Sequence, residues 1–175
     1  MTMAPADALD HDDAVAVTWQ LGRIPRGVVG VAHRCPCGDP DVVITSPRLP
    51  DGTPFPTLYY LTCPIVSAAV GTLESSGMVR QMEARLAGDP ELASGYRAAH
   101  ESYLAERAAI EVVAEIDGIS AGGMPDRVKC LHVLTAHALA DGPGVNPLGD
   151  EAVTALADWW SKRGCRAARA ALESS

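Results

Sequence analysis

Cysteine and histidine carry the chemistry this sequence offers. Cys35 and Cys37 flank one proline in the segment RCPCG, Cys63 stands immediately before Pro64, and Cys130 lies two residues before His132. A thiol becomes a nucleophile or a metal ligand only as its thiolate, and the unpaired N–H groups and dipole at a helix N-terminus favour that anion. Pro64 suits the first helical position, which makes Cys63 the N-cap of a helix running to about Ser75. The glycine-rich stretch GISAGGMPDRVKCLHVLTAH, residues 118 to 137, opens a second helix expected over about 126 to 140, and its first turns carry Cys130, His132 and His137. One turn and two helix starts thus supply Cys35, Cys37, Cys63 and Cys130 as candidate ligands for zinc or an iron–sulfur cluster. The CxC spacing is tighter than the C-x₂₋₄-C of structural zinc sites, so plain burial of small apolar thiols and thiol redox chemistry stand beside the metal reading.

Helical geometry sorts the histidines. His132 lies about 200° around a regular helix from Cys130, so it joins that cysteine as a fourth ligand only if the turn is irregular. His137 is seven residues on, about 10 Å along the axis, and is expected to support a ligand or the core rather than bind metal. A competing site lies in the Gly118 to Lys129 loop. There the N–H groups around Gly122 and Gly123, with charge from Arg127, Lys129 and Arg34, would make a metal-free module holding a small anion or a phosphorylated metabolite.

Composition narrows the partners. With 14 basic against 22 acidic residues the net charge is −8, and this field repels phosphate backbones, so nucleic acid is not an expected partner. The N-terminus has neither a basic nor an apolar leader segment, and no window approaches the length of apolar chain that spans a bilayer. A cytoplasmic protein without membrane contact, serving a small molecule or a protein partner, is the expectation. In that reducing setting an odd set of 5 cysteines, Cys165 included, argues for thiols rather than a disulfide framework.

The elements that must position these residues follow from local signals. Residues 1 to 14 are Asp-rich without apolar periodicity and are expected as a disordered acidic tail, leaving 15 to 170 as one domain. Gly and Pro confine any helix between Val15 and Gly27 to about two turns. Three β-branched or aromatic runs, at 28 to 33, 41 to 45 and 58 to 62, predict a small antiparallel sheet. Helices follow at Pro64 to Ser75 and Met78 to Leu86, then from Asp89-Pro90 to about Ile116, and last from a cap at Asp150 with Trp159 and Trp160 near its inner face. The fold class is therefore α+β, with the sheet at about residues 28 to 62 packed on four or five helices.

The segments QLGR (20 to 23), RCPCG, PFPTLYYLTCP (54 to 64), GISAGGMPDRVKCLH and NPLG (146 to 149) together resemble the family catalogued as domain of unknown function 501, over about residues 18 to 150. The resemblance transfers no activity. It centres on the cysteines matching Cys35, Cys63 and Cys130, and implies a three-thiolate site whose fourth position is open or filled by His132.

Overall fold

The structure, a computed structural model, describes residues 7–156 together with Trp159 and Ala170. The β-branched runs form β1 (Val28–Arg34), β2 (Pro40–Thr45) and β3 (Tyr59–Leu61), an antiparallel sheet in the order β1-β2-β3. Val43 of β2 pairs with Val31 on one side and Tyr60 on the other. Every residue of β2 is buried instead of alternate ones, as expected of a central strand covered on both faces.

Six α-helices among the described residues surround this sheet, one or two more than expected. The first, α1 (His11–Leu21), corrects the acidic-tail reading: Asp10 caps it by accepting from the N–H of Asp13 at 2.8 Å, and Gly22 ends it at φ 65°. Asp13 is buried, and its two carboxylate oxygens meet Arg34 at 2.7 and 2.8 Å, while Asp7 bridges Val31 on the edge of β1. These aspartates read as solvated only because Arg34, their counter-charge, lies far along the chain. Residues 1 to 6, Trp160 and Cys165 lie outside the described residues.

Pro64 opens α2 (Pro64–Ser75), followed by α3 (Met78–Gly88). Asp89 then caps α4 (Pro90–Ile110), accepting from the N–H groups of Glu91 and Leu92 at 3.0 Å each. This helix stops short of the expected Ile116. Its buried Arg107 reaches the carbonyl oxygens of Pro56, Ile116 and Ile119 at 2.9, 2.7 and 2.6 Å and so folds the chain back across it. The glycine loop is not helical either: α5 (Leu131–Asp141) begins with Cys130 as its N-cap. Upstream, Arg127 N–H bonds Gly123 O and Lys129 N–H bonds Gly122 O, at 2.9 and 2.8 Å, which closes the loop on itself. The last helix, α6 (Pro147–Ala155), is capped by Asn146, accepting from Gly149 N–H at 3.0 Å, and not by Asp150.

α5 runs through the core, packing on all three strands and on α2 and α6. Leu131, Leu134 and Ala136 from it join Val42, Ile44 and Tyr59 of the sheet, Val66 and Val70 of α2, and Tyr96 and Tyr103 of α4. Gly149 lets α6 approach closely, since a Cβ there would collide with the carbonyl oxygen of Leu134. No helix among the described residues is long and apolar enough to cross a membrane.

Candidate functional site

Where α5 begins, its first residues meet the far end of α2. Cys130 is extended (φ −150°, ψ 114°), so the regular-helix angle that separated it from His132 does not apply, and the two side chains come together. Glu74, in the last turn of α2, completes the group: its Oε1 accepts the N–H of Leu131 at 2.7 Å and lies 3.3 Å from Nδ1 of His132. The carboxylate thus fills the anion position that the helix start offers. On the opposite side of the ring, Nε2 of His132 is 3.1 Å from the carbonyl oxygen of Ser67, two turns earlier on α2. One ligand atom from each of Glu74, Cys130 and His132 lies within 4.8 Å of the other two.

Cys130 and His132 favour one another's charged forms, while Glu74 favours a charged His132 and opposes the thiolate. Burial pushes the Cys130 thiol up, but hydrogen bonds from the His132 side chain and from the N–H groups of Val133 and His132 together hold it below its ordinary value. The contact with Cys130 raises His132 to about 9 against the opposing effect of burial, and Glu74 adds to the rise. A thiol held below its ordinary value and a histidine held above its own therefore meet beside Glu74. Beside them opens a pocket of about 250 Å³. Thr57, Tyr60, Leu61 and Val133 wall it, and Cys130 and His132 face into it.

The other cysteines stand elsewhere. Sγ of Cys35 and Sγ of Cys37 are 2.7 Å apart on the turn after β1. Cys63 is buried at the start of α2 and makes no capping hydrogen bond through its side chain. Among the described residues, no set of three His, Cys, Asp or Glu ligand atoms within 4.8 Å of one another includes Cys35, Cys37 or Cys63. In the glycine loop, Gly122 and Gly123 have φ of 70° and 96°. A Cβ on Gly123 would press against the Arg127 carbonyl oxygen at 2.7 Å, so this glycine serves a close backbone approach. Arg127 pairs with Glu83 at 3.4 Å, and Arg34 is held by Asp13, so neither is turned to a common anion position.

A family model described as "Protein of unknown function (DUF501)" matches residues 31–154, most of the chain. The chain belongs to the DUF501 family. No curated protein and no solved structure matches it. The matched span of this DUF501 protein contains Glu74, Cys130 and His132, and also a second buried group that the sequence did not reveal.

That group surrounds His137, whose Nε2 lies 2.9 Å from Asp141 Oδ2, with Glu106 alongside. Donor geometry speaks against a cation here. Asn146 uses its oxygen to cap α6, so it presents its amide N–H to Nδ1 of His137 at 3.1 Å. Nδ1 must accept, and the proton then sits on Nε2, leaving no lone pair for a metal. His137 stacks on Tyr59 with ring centroids 5.8 Å apart, and Tyr59 also lines the Cys130 pocket. Glu74 had no sequence signal beyond lying seven residues after Ser67, on the same face of a helix. Attention to soft ligands alone passes over it.

Proposed function

We propose that this DUF501 protein binds one zinc ion through Cys130 Sγ, His132 Nδ1 and a carboxylate oxygen of Glu74, with the fourth coordination position open to the adjoining pocket. The observation that carries the reading is the contact between His132 Nε2 and the Ser67 carbonyl. A carbonyl only accepts, so Nε2 carries the proton, and the nitrogen turned toward Cys130 and Glu74 is the one with a lone pair once the ring is neutral. This is the arrangement by which a backbone carbonyl fixes the tautomer of a metal-binding histidine. The Nδ1 to Oε1 distance of 3.3 Å also suits two ligands of a tetrahedral ion, for which bonds of about 2.0–2.1 Å place the ligand atoms roughly 3.3 Å apart. A single thiolate with nitrogen and oxygen donors favours zinc over an iron–sulfur cluster, which is held chiefly by several thiolates.

Three protein ligands and an open position are what a zinc ion needs to polarise a carbonyl or to lower the pKa of a bound water toward neutrality. The walls supplied by Thr57, Tyr60, Leu61 and Val133 select a small, largely apolar ligand in the fourth position. Metal analysis of purified protein tests the reading. One zinc per chain is expected in the wild type and in Cys35→Ala, and none in Cys130→Ala or Glu74→Gln. Retention of zinc by Cys130→Ala, or its loss from Cys35→Ala, overturns this ligand set.

A further inference from the structure

The Cys35-Pro36-Cys37 turn holds a second pair of chemistry-bearing side chains, apart from the Glu74, Cys130 and His132 group. Cys35 N–H bonds to the carbonyl of Asp39 at 3.0 Å and Gly38 N–H to the carbonyl of Cys35 at 2.8 Å, so the turn is closed at both levels. Pro36 removes one backbone freedom, and Gly38 supplies a φ of 92°. The two sulfurs are thereby fixed 2.7 Å apart, inside van der Waals contact. Cys37 N–H also points at Cys35 Sγ from 3.3 Å, a donor that favours negative charge on that sulfur. Exposure differs between the two: Cys35 is 4% exposed while Cys37 is half-buried, so an incoming molecule meets Cys37 first.

We propose that Cys35 and Cys37 form a thiol–disulfide exchange site that reduces small neutral disulfides, independent of the zinc site. The Cys37 thiolate attacks one sulfur of the incoming disulfide, breaking its S–S bond and expelling one thiolate. The Cys35 thiolate then attacks Cys37 Sγ in the mixed disulfide, forming the Cys35–Cys37 bond and expelling the second thiolate. The two protons lost by the cysteines go to the two released thiols, and the two electrons taken up by the small disulfide are those given up by the pair. Preference for a neutral partner comes from the surroundings. A polar hollow of about 450 Å³ beside the turn is lined by Asp10, Asp12, Asp13 and Asp39, and its one cation, Arg34, is engaged by Asp13 and Asp7. Such a field repels anionic disulfides.

The test uses the full chain, reduced and desalted, and treated separately with hydroxyethyl disulfide and with glutathione disulfide. Peptide mapping after alkylation reads which cysteines have lost their thiols. The expected result is loss of both thiols in the peptide spanning residues 35 to 48, with release of two small thiols per chain, faster with the neutral reagent than with the anionic one. Cys35→Ser is expected to stop midway and accumulate the mixed disulfide on Cys37, and Cys37→Ser to lose the rapid release. The variants also report if one of them folds poorly, since the wild-type map stands alone. Both thiols remaining alkylatable in the wild type overturns the proposal, as does protection of them by added zinc, which would make them metal ligands instead. A faster reaction with glutathione disulfide overturns the selectivity.

Discussion

The hydroxyl of Tyr59 lies 2.9 Å from Oε2 of Glu106, joining β3 to α4 inside the core. The same hydroxyl is 3.1 Å from Oδ1 of Asp141, and it has one proton for two carboxyl groups. Ser102 meets the other oxygen of Glu106 at 2.9 Å. Arg107, the next residue along α4, is spent on three carbonyls. Burial first, and Asp141 second, raise Glu106 above the ordinary carboxylate value, while the hydroxyls of Tyr59 and Ser102, which donate to it, act against that rise.

The pH dependence follows from that sign. A carboxyl whose folded-state pKa is raised contributes stability that is complete below its unfolded value and is lost as the pH rises through the folded one. Denaturant melts at increasing pH are expected to show stability falling by up to about 1.4 kcal/mol per pH unit between the ordinary carboxyl value of the unfolded chain and the raised value of folded Glu106, and levelling off above it. Glu106→Gln keeps a neutral hydrogen-bonding group and is expected to remove this decline. An unchanged decline in that variant assigns it to another group.

Zinc is expected to stabilise the fold by mass action, by about 2.7 kcal/mol at a free concentration one hundred times its dissociation constant. Thermal melts with and without added zinc check this. His132→Ala is expected to melt at the same temperature in both conditions, because it lacks one of the three ligands that would hold the ion.

Gly149→Ala places a methyl group against the Leu134 carbonyl oxygen and 2.9 Å from the Cβ of Ala138. Backbone offers little room to give, so α6 must shift off α5, with a cost of about 1–3 kcal/mol or more. Equilibrium unfolding measures it, and a change within a few tenths of a kcal/mol would show that the two helices slide apart freely.

Tyr103→Phe removes only an oxygen. That oxygen accepts the N–H of Leu58 at 2.6 Å, and Leu58 is fully buried, so the variant strands a backbone donor in the core. The expected loss is about 1–3 kcal/mol, with slower protection against hydrogen exchange lost first at Leu58 and the neighbouring β3.

The legible parts of this protein were those decided within a few residues. Pro64 and the Asp89-Pro90 pair marked the starts of α2 and α4 because a missing N–H and a capping carboxylate act on the turn they belong to. The three β-branched runs marked the sheet for the same reason, since steric preference and period are local. Cys130 and His132 were visible as a pair by type, but their meeting depended on Cys130 being extended at the N-cap instead of helical. What the chain did locally could not disclose Glu74, which lies 57 residues before the N–H it accepts and reaches it only because α2 packs across the start of α5. Asp13 and Arg34, 21 residues apart, likewise turned an apparent tail into α1. Tertiary packing decided those partners because the energy of a buried charge depends on which opposite charge the fold brings beside it, and sequence order does not set that distance.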